Sequence, residues 1–196
     1  MFQVRIHGRG GQGVVTAAEI LSMAAFAEGT HAQAFPSFGS ERMGAPVVSF
    51  CRLDDRPIRT REPVMEPDAL IIQDVTLIHQ VDLFAGLTPD GYVLVNTSRS
   101  FDELGLGEFA QQFRHDRLLT VAASELALGH LGRPLPNAAL LGGFAALTEK
   151  VTLDAVSAAI RERFGGQTAE RNVAAARAAY EYVRLEEEGL ARAATD

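Results

Sequence analysis

The chain has little of what reactive or membrane proteins need. It holds one cysteine, Cys51, among 196 residues. A single thiol excludes an internal disulfide, and excludes an iron–sulfur cluster or cysteine-built zinc site supplied by this chain alone. No apolar run reaches the roughly 20 residues that span a bilayer. No signal-peptide pattern precedes the first strand-like segment, so a cytoplasmic protein without membrane attachment is expected. Lysine is nearly missing: Lys150 stands alone and arginine carries the remaining positive charge. The formal net charge of −7 gives no general basic surface for nucleic acid. His7, His31, His79, His115 and His130 are scattered without metal-ligand spacing. Ser124 sits in no G-x-S-x-G elbow, and no Gly-Lys-Ser/Thr follows the glycines, which excludes a P-loop. These absences describe a binding or scaffolding unit without a reactive group of its own.

What is present begins at the amino end. Val4 and Ile6 alternate with more polar neighbours as a short strand over residues 2–7. Gly8, Gly10, Gly11 and Gly13 follow within six residues, interleaved with Arg9 and Gln12. An Ala-, Leu- and Ile-rich helical pattern then covers residues 14–28, with Gly29 as its stop. Strand, glycine turn and helix together make an anion-sized nest, because glycine permits close approach and the first helical N–H groups point outward. Gly8, Gly10 and Gly13 also satisfy G-x-G-x-x-G. A dinucleotide site further needs an acid at the tip of the second strand, and that strand, residues 31–35, runs into Pro36, Ser37 and Phe38 instead.

Residues 36–46 form a loop rich in proline and glycine that still carries aromatics, a carboxylate and a guanidinium, a candidate binding surface. A strand over residues 47–53 is expected to fold back on residues 58–61 as a hairpin. Residues 69–74 and 92–96 read as buried strands, residues 76–84 as a short helix, and residues 118–122 as a further strand. Helices are expected over residues 124–131, 137–148, 152–164 and 168–188. Gly142 and Gly143 inside one of them call for close packing against another backbone. The fold class is α/β: a Rossmann-like, mostly parallel sheet with helices on both faces, an antiparallel hairpin insertion and a helical C-terminal third. Residues 1–190 form one domain, and residues 191–196 a frayed tail.

The ordered motifs carry a resemblance. Ile6-His7-Gly8-Arg9-Gly10-Gly11-Gln12-Gly13 and the stretch from Phe35 through Ser37, Ser40, Glu41 and Arg42 to Val47 resemble the two signature motifs of the gamma subunit of 2-oxoacid:acceptor oxidoreductases, such as pyruvate:ferredoxin oxidoreductase. Glu66-Pro67-Asp68, Gln73-Asp74, and Gly132-Arg133-Pro134 with Asn137 and Leu141-Gly142 are similar to later blocks. The resemblance spans about residues 4–182. Its second motif has the form of the pyruvate-type branch, to which aryl-oxoacid enzymes such as phenylglyoxylate dehydrogenase are related. Met43 departs from the pattern, standing where a second arginine is usual.

The resemblance implies a division of labour. Such complexes use thiamine diphosphate with Mg, [4Fe-4S] clusters and coenzyme A as co-substrate to convert a 2-oxoacid into an acyl-CoA. Alpha and beta chains hold the thiamine cofactor and a ferredoxin-like delta chain holds clusters. Electrons pass to ferredoxin or, through a flavoprotein carrying FAD, to NAD. This chain would hold none of these cofactors alone. It would pack on the thiamine-binding chains and help form the coenzyme A surroundings, with Gly8, Arg9, Gly10, Gly11, Gln12, Gly13, Ser37, Phe38, Gly39, Ser40, Glu41, Arg42 and Gly44 facing the ligand or active site. Two alternatives remain from the residues themselves: a free-standing NAD(P)-binding dehydrogenase, and a purely structural assembly subunit.

Overall fold

The computed structural model describes residues 1–37 and 43–193. Residues 2–121 supply a six-stranded sheet: β1 (Phe2–Arg9), β2 (His31–Pro36), β3 (Pro46–Asp54), β4 (Ala69–Ile72), β5 (Tyr92–Asn96) and β6 (Leu118–Val121). The spatial order is β2-β3-β1-β4-β5-β6. The four strands β1, β4, β5 and β6 run parallel, as the short apolar runs suggested. β3 lies antiparallel to both β1 and β2.

β2 runs in the same direction as β1, with β3 inserted between them. The expected hairpin with residues 58–61 does not form, since β3 already spends both ladder edges on β1 and β2. Buried arginines tie down the following segment instead. Arg52 donates to the carbonyl of Glu62 at 2.6 Å, and Arg5 donates to those of Leu83 and Ala85 at 2.8 and 2.7 Å. Residues 76–84 also differ from the helix expected: only a 3-10 turn, Val75–His79, forms, started by the Asp74 side chain accepting from Thr76 N–H.

Helices α1 (Val14–Ala27), α2 (Gly107–Ala110), α3 (Ala123–Leu131), α4 (Asn137–Thr148), α5 (Leu153–Phe164) and α6 (Gly166–Ala193) complete the chain. α4 is buried along its whole length. Its Gly142 is required there: an added Cβ would lie 1.9 Å from the carbonyl oxygen of Ala176 in α6. Thr152 caps α5 by accepting from Ala155 N–H at 3.1 Å. α6 runs past Gly189 to Ala193, so residues 191–193 are helical and not a frayed tail.

Strand alternation divides the core. Val4, Ile6, Ala69, Ile71 and Leu94 face α1, α4 and α6 in one continuous cluster. Leu70, Ile72, Val93 and Val95 face the shorter turns of residues 75–113. Each fully buried Leu or Ile contributes about 1.5–3 kcal/mol, so both faces are anchored apolar layers. Among the described residues, no helix is long and apolar enough to cross a membrane.

Candidate functional site

The carboxyl ends of β1 and β4 and the amino ends of α1 and α4 meet at the glycine turn. Open α/β sheets place ligands at this edge. Gly11 and Gly13 adopt left-handed φ angles of 91° and 73°. Gly13 is the N-cap of α1, which has no side-chain cap and no acidic residue in its first turn. A Cβ on Gly13 would lie 2.5 Å from Nδ2 of Asn137, the first residue of α4. Both helices therefore begin at one point, with the positive ends of two dipoles beside each other.

One side of the turn is closed by its own side chains. The Arg9 guanidinium donates to Asp74 Oδ2 at 3.2 Å, the Gly44 carbonyl at 3.1 Å, Thr76 Oγ1 at 2.8 Å and Gln80 Oε1 at 3.1 Å. Gln12 accepts from Arg9 N–H at 2.8 Å and donates to Asp74 Oδ2 at 2.8 Å. Burial pushes the Asp74 carboxyl upward, but hydrogen bonds from Thr76 and Gln12 and the charge of Arg9 outweigh it, leaving a net lowered pKa. Just upstream, Arg5 donates to His7 Nε2 at 3.0 Å. Burial, and then the Arg5 charge, lower His7 to about 3, so it is neutral at physiological pH.

The other side is bare. Gly11, Gly13 and Thr16 line a cavity of about 450 Å³, together with Arg133, Asn137 and Arg171. Arg133 follows α3 and Arg171 lies on α6. Both are exposed and have no ion-pair partner among the described residues. Two guanidiniums without ion-pair partners among the described residues, beside helix starts that lack side-chain caps, give this cavity a lining whose charge favours anions.

The residues expected at the site thus separate. Gly11 and Gly13 line the cavity. Gly8 and Gly10 are buried beneath it; Gly10 N–H donates to Ala45 and its carbonyl accepts from Gly44, at 2.9 and 3.0 Å. A Cβ on Gly8 would meet Val14 at 2.6 Å, so this glycine serves strand–helix packing. Arg9 and Gln12 are turned into the Asp74 network. Gly44 is exposed beside Gly10, and Ser37 is exposed with its N–H donated to Val48 at 2.9 Å. Met43, at the position that departs from the motif, is 87 % exposed over Gly11. Phe38, Gly39, Ser40, Glu41 and Arg42 lie outside the described residues. Sequence reading did not place Arg133, Asn137 or Arg171 in the site. The Gly132-Arg133-Pro134 block with Asn137 was a visible signal, whereas Arg171 had none.

A dehydrogenase reading loses support from the topology. The strand whose tip would hold a ribose is separated from the glycine turn by β3. No cluster of three His, Cys, Asp or Glu side chains suited to a metal exists among the described residues. Cys51 is buried in β3, and burial pushes its thiol up to about 12, which does not suit a cluster ligand or nucleophile.

Fold and cavity define a Rossmann-like α/β domain with an arginine-lined cavity at the carboxyl edge of its sheet. The chain belongs to the pyruvate ferredoxin/flavodoxin oxidoreductase family, which matches residues 3–182. It is 45% identical over 184 residues to the pyruvate synthase subunit PorC of Methanothermobacter marburgensis, covering 94% of this chain and 98% of that subunit. It is 46% identical over 185 residues to the pyruvate/ketoisovalerate oxidoreductases common subunit gamma of Pyrococcus abyssi, covering 94% and 98%. Among solved structures, the pyruvate oxidoreductase subunit PORC of Thermotoga maritima superposes with a TM-score of 0.77 at 34% identity, covering 92% of this chain and 95% of that one.

Proposed function

We propose that this chain is the gamma subunit of a 2-oxoacid oxidoreductase complex and receives the phosphate end of coenzyme A. The cavity carrying Arg133 and Arg171 beside the uncapped start of α1 is the observation that supports this most directly. Pyrophosphate and 3′-phosphate groups are anions of the right kind for such a cradle, and arginine binds them in a forked geometry. Full-length similarity to gamma-type subunits supports the assembly part of the reading.

In this reading, alpha and beta subunits hold thiamine diphosphate and Mg, a ferredoxin-like delta subunit holds [4Fe-4S] clusters, and ferredoxin or an NAD-linked flavoprotein takes the electrons. Those groups supply the decarboxylation and the redox chemistry. The residues of this chain bind and orient. Gly11 and Gly13 let the phosphates approach the backbone, Arg133 and Arg171 neutralise them, and the Arg9–Asp74 network holds the turn rigid. Gly44 donates its N–H to the Gly10 carbonyl of the turn, and this reading assigns Ser37 and Gly44 to the surface that faces the same ligand or the thiamine-binding chains. A cytoplasmic location accompanies this function.

The test is Arg133→Ala in the assembled complex. The KM for coenzyme A should rise about tenfold, which is ~1.4 kcal/mol, while the KM for the 2-oxoacid stays unchanged. An intact complex with an unaltered coenzyme A KM would overturn the binding role and leave an assembly subunit.

A further inference from the structure

The hydrogen-bonding groups around the arginine cavity do not all suit a bare phosphate. Arg133 and Arg171 are donors only, and no carboxylate lines the cavity among the described residues. The first N–H groups of α1 and α4 are donors too, since neither helix start has a side-chain cap. Asn172 breaks this pattern. It lines the cavity from α6 and is 3 % exposed. Its Nδ2 donates to the Thr168 carbonyl at 2.9 Å. That bond fixes the amide's orientation, because a carbonyl accepts only from the nitrogen. The free end is therefore Oδ1. It has no partner among the described residues, yet it is not among the side-chain atoms sealed from water. On a residue buried this deeply, the open atom faces the cavity that the residue lines.

An ionised phosphate has no hydrogen to give this oxygen and repels it. A ligand that satisfies the whole lining carries a donor of its own beside its phosphate. The apolar side chains indicate what bears that donor. Leu131 and Leu135 border the cavity, and so does Phe164, which ends α5 two residues before α6 begins. Such side chains cover a flat ring. Asn137 serves the glycine-turn side. It is 6 % exposed, its amide has no partner among the described residues, and its Nδ2 lies against Gly13 at the start of α1. A phosphate oxygen accepts there.

We propose that the cavity takes an amino-substituted nucleotide base together with its phosphate, and that Asn172 Oδ1 determines specificity by accepting from the exocyclic amine, with the ring against Phe164. This rests on the phosphate reading of the cavity and adds what the phosphate is attached to.

The experiment is inhibition of the assembled complex, in competition with coenzyme A, by three probes. They are inorganic phosphate, AMP, and purine riboside 5′-monophosphate, which lacks only the exocyclic amine of AMP. AMP should inhibit at about tenfold lower concentration than either of the others. Asn172→Leu keeps the volume and removes the acceptor. It should shrink the preference for AMP over the amine-free nucleotide below about twofold and leave inhibition by phosphate unchanged. Phe164→Leu should weaken AMP about threefold without altering phosphate, a second readout where Asn172→Leu does not assemble. Equal inhibition by the two nucleotides, a preference that survives Asn172→Leu, or AMP inhibition unchanged in Phe164→Leu would overturn the proposal. Competition by inorganic phosphate alone would keep the phosphate reading while removing the base. Failure of all three probes would overturn both.

Discussion

The two sides of the glycine turn differ although they share six residues. On one side Arg9 and Gln12 are consumed by Asp74, Thr76, Gln80 and the Gly44 carbonyl. On the other, Gly11 and Gly13 present backbone to a cavity whose arginines have no partner among the described residues. A charged residue in a glycine motif is therefore not automatically a ligand contact. The charge inside the motif acts as a brace, and the charges proposed to meet the ligand come from the segment after α3 and from α6. A brace should fail through stability when it is altered, and a binding wall should fail through ligand affinity.

The largest expected effect comes where the two sides join. Gly13→Val puts a branched side chain at φ 73° and directly against Asn137 Nδ2. Left-handed strain of ~1–2 kcal/mol and the clash together should cost about 3 kcal/mol or more, measured by denaturant unfolding, and coenzyme A binding should be lost as well. If stability survives with affinity intact, the turn does not join the two sides.

Arg9→Ala comes next and isolates the brace. It strips the cation from Asp74, a pair whose side chains are 21% and 15% exposed. The loss should be about 2 kcal/mol in stability, with the coenzyme A KM changing by less than about threefold. A large KM change without destabilisation would move Arg9 to the binding wall.

The braced side should also carry the pH dependence of folding. His7 has its folded pKa depressed to about 3, against an ordinary value of 6.5. Above pH 6.5 it is neutral in both states and contributes nothing to the slope. As pH falls from 6.5 toward 3, the unfolded chain takes up a proton that the folded chain refuses, so stability is lost. The slope approaches about 1.4 kcal/mol per pH unit. Unfolding curves at pH 7 and pH 5.5 should therefore differ by about 1 kcal/mol, and His7→Gln should remove most of that difference.

Much of the fold was legible because it is local. The apolar runs of β4 and β5, the buried character of α4, the Thr152 cap and the need of Gly142 for a facing backbone could all be read from neighbouring residues. Strand order was not legible. Nothing in residues 46–54 states that β3 will take both its partners from earlier in the chain, and so leave residues 58–61 without a free edge. The site divides in the same way. The glycines announce an exposed stretch of backbone, and Gly11 and Gly13 do line the cavity. Arg9 looks like a ligand residue until Asp74, 65 positions away, is placed beside it. Arg171 carries no local sign at all, because it becomes a site residue only when α6 packs on α4 and brings its amino end to the turn.

Arg171→Ala gives the smallest global effect and the sharpest separation of the two sides. Arg171 is exposed on α6 and has no ion pair to lose among the described residues. Its removal should leave Tm within about 1 °C, since exposed substitutions without partners stay within about 0.5 kcal/mol. The coenzyme A KM should still rise about fivefold, which is ~1 kcal/mol for one exposed guanidinium–phosphate contact. That rise should shrink at high salt, because both charges are solvent-exposed and screened beyond about 10 Å at 0.1 M ionic strength. Comparing it with Arg9→Ala in the same complex decides the matter by sign. If Arg171→Ala lowers stability and Arg9→Ala lowers affinity, brace and binding wall have been assigned to the wrong sides.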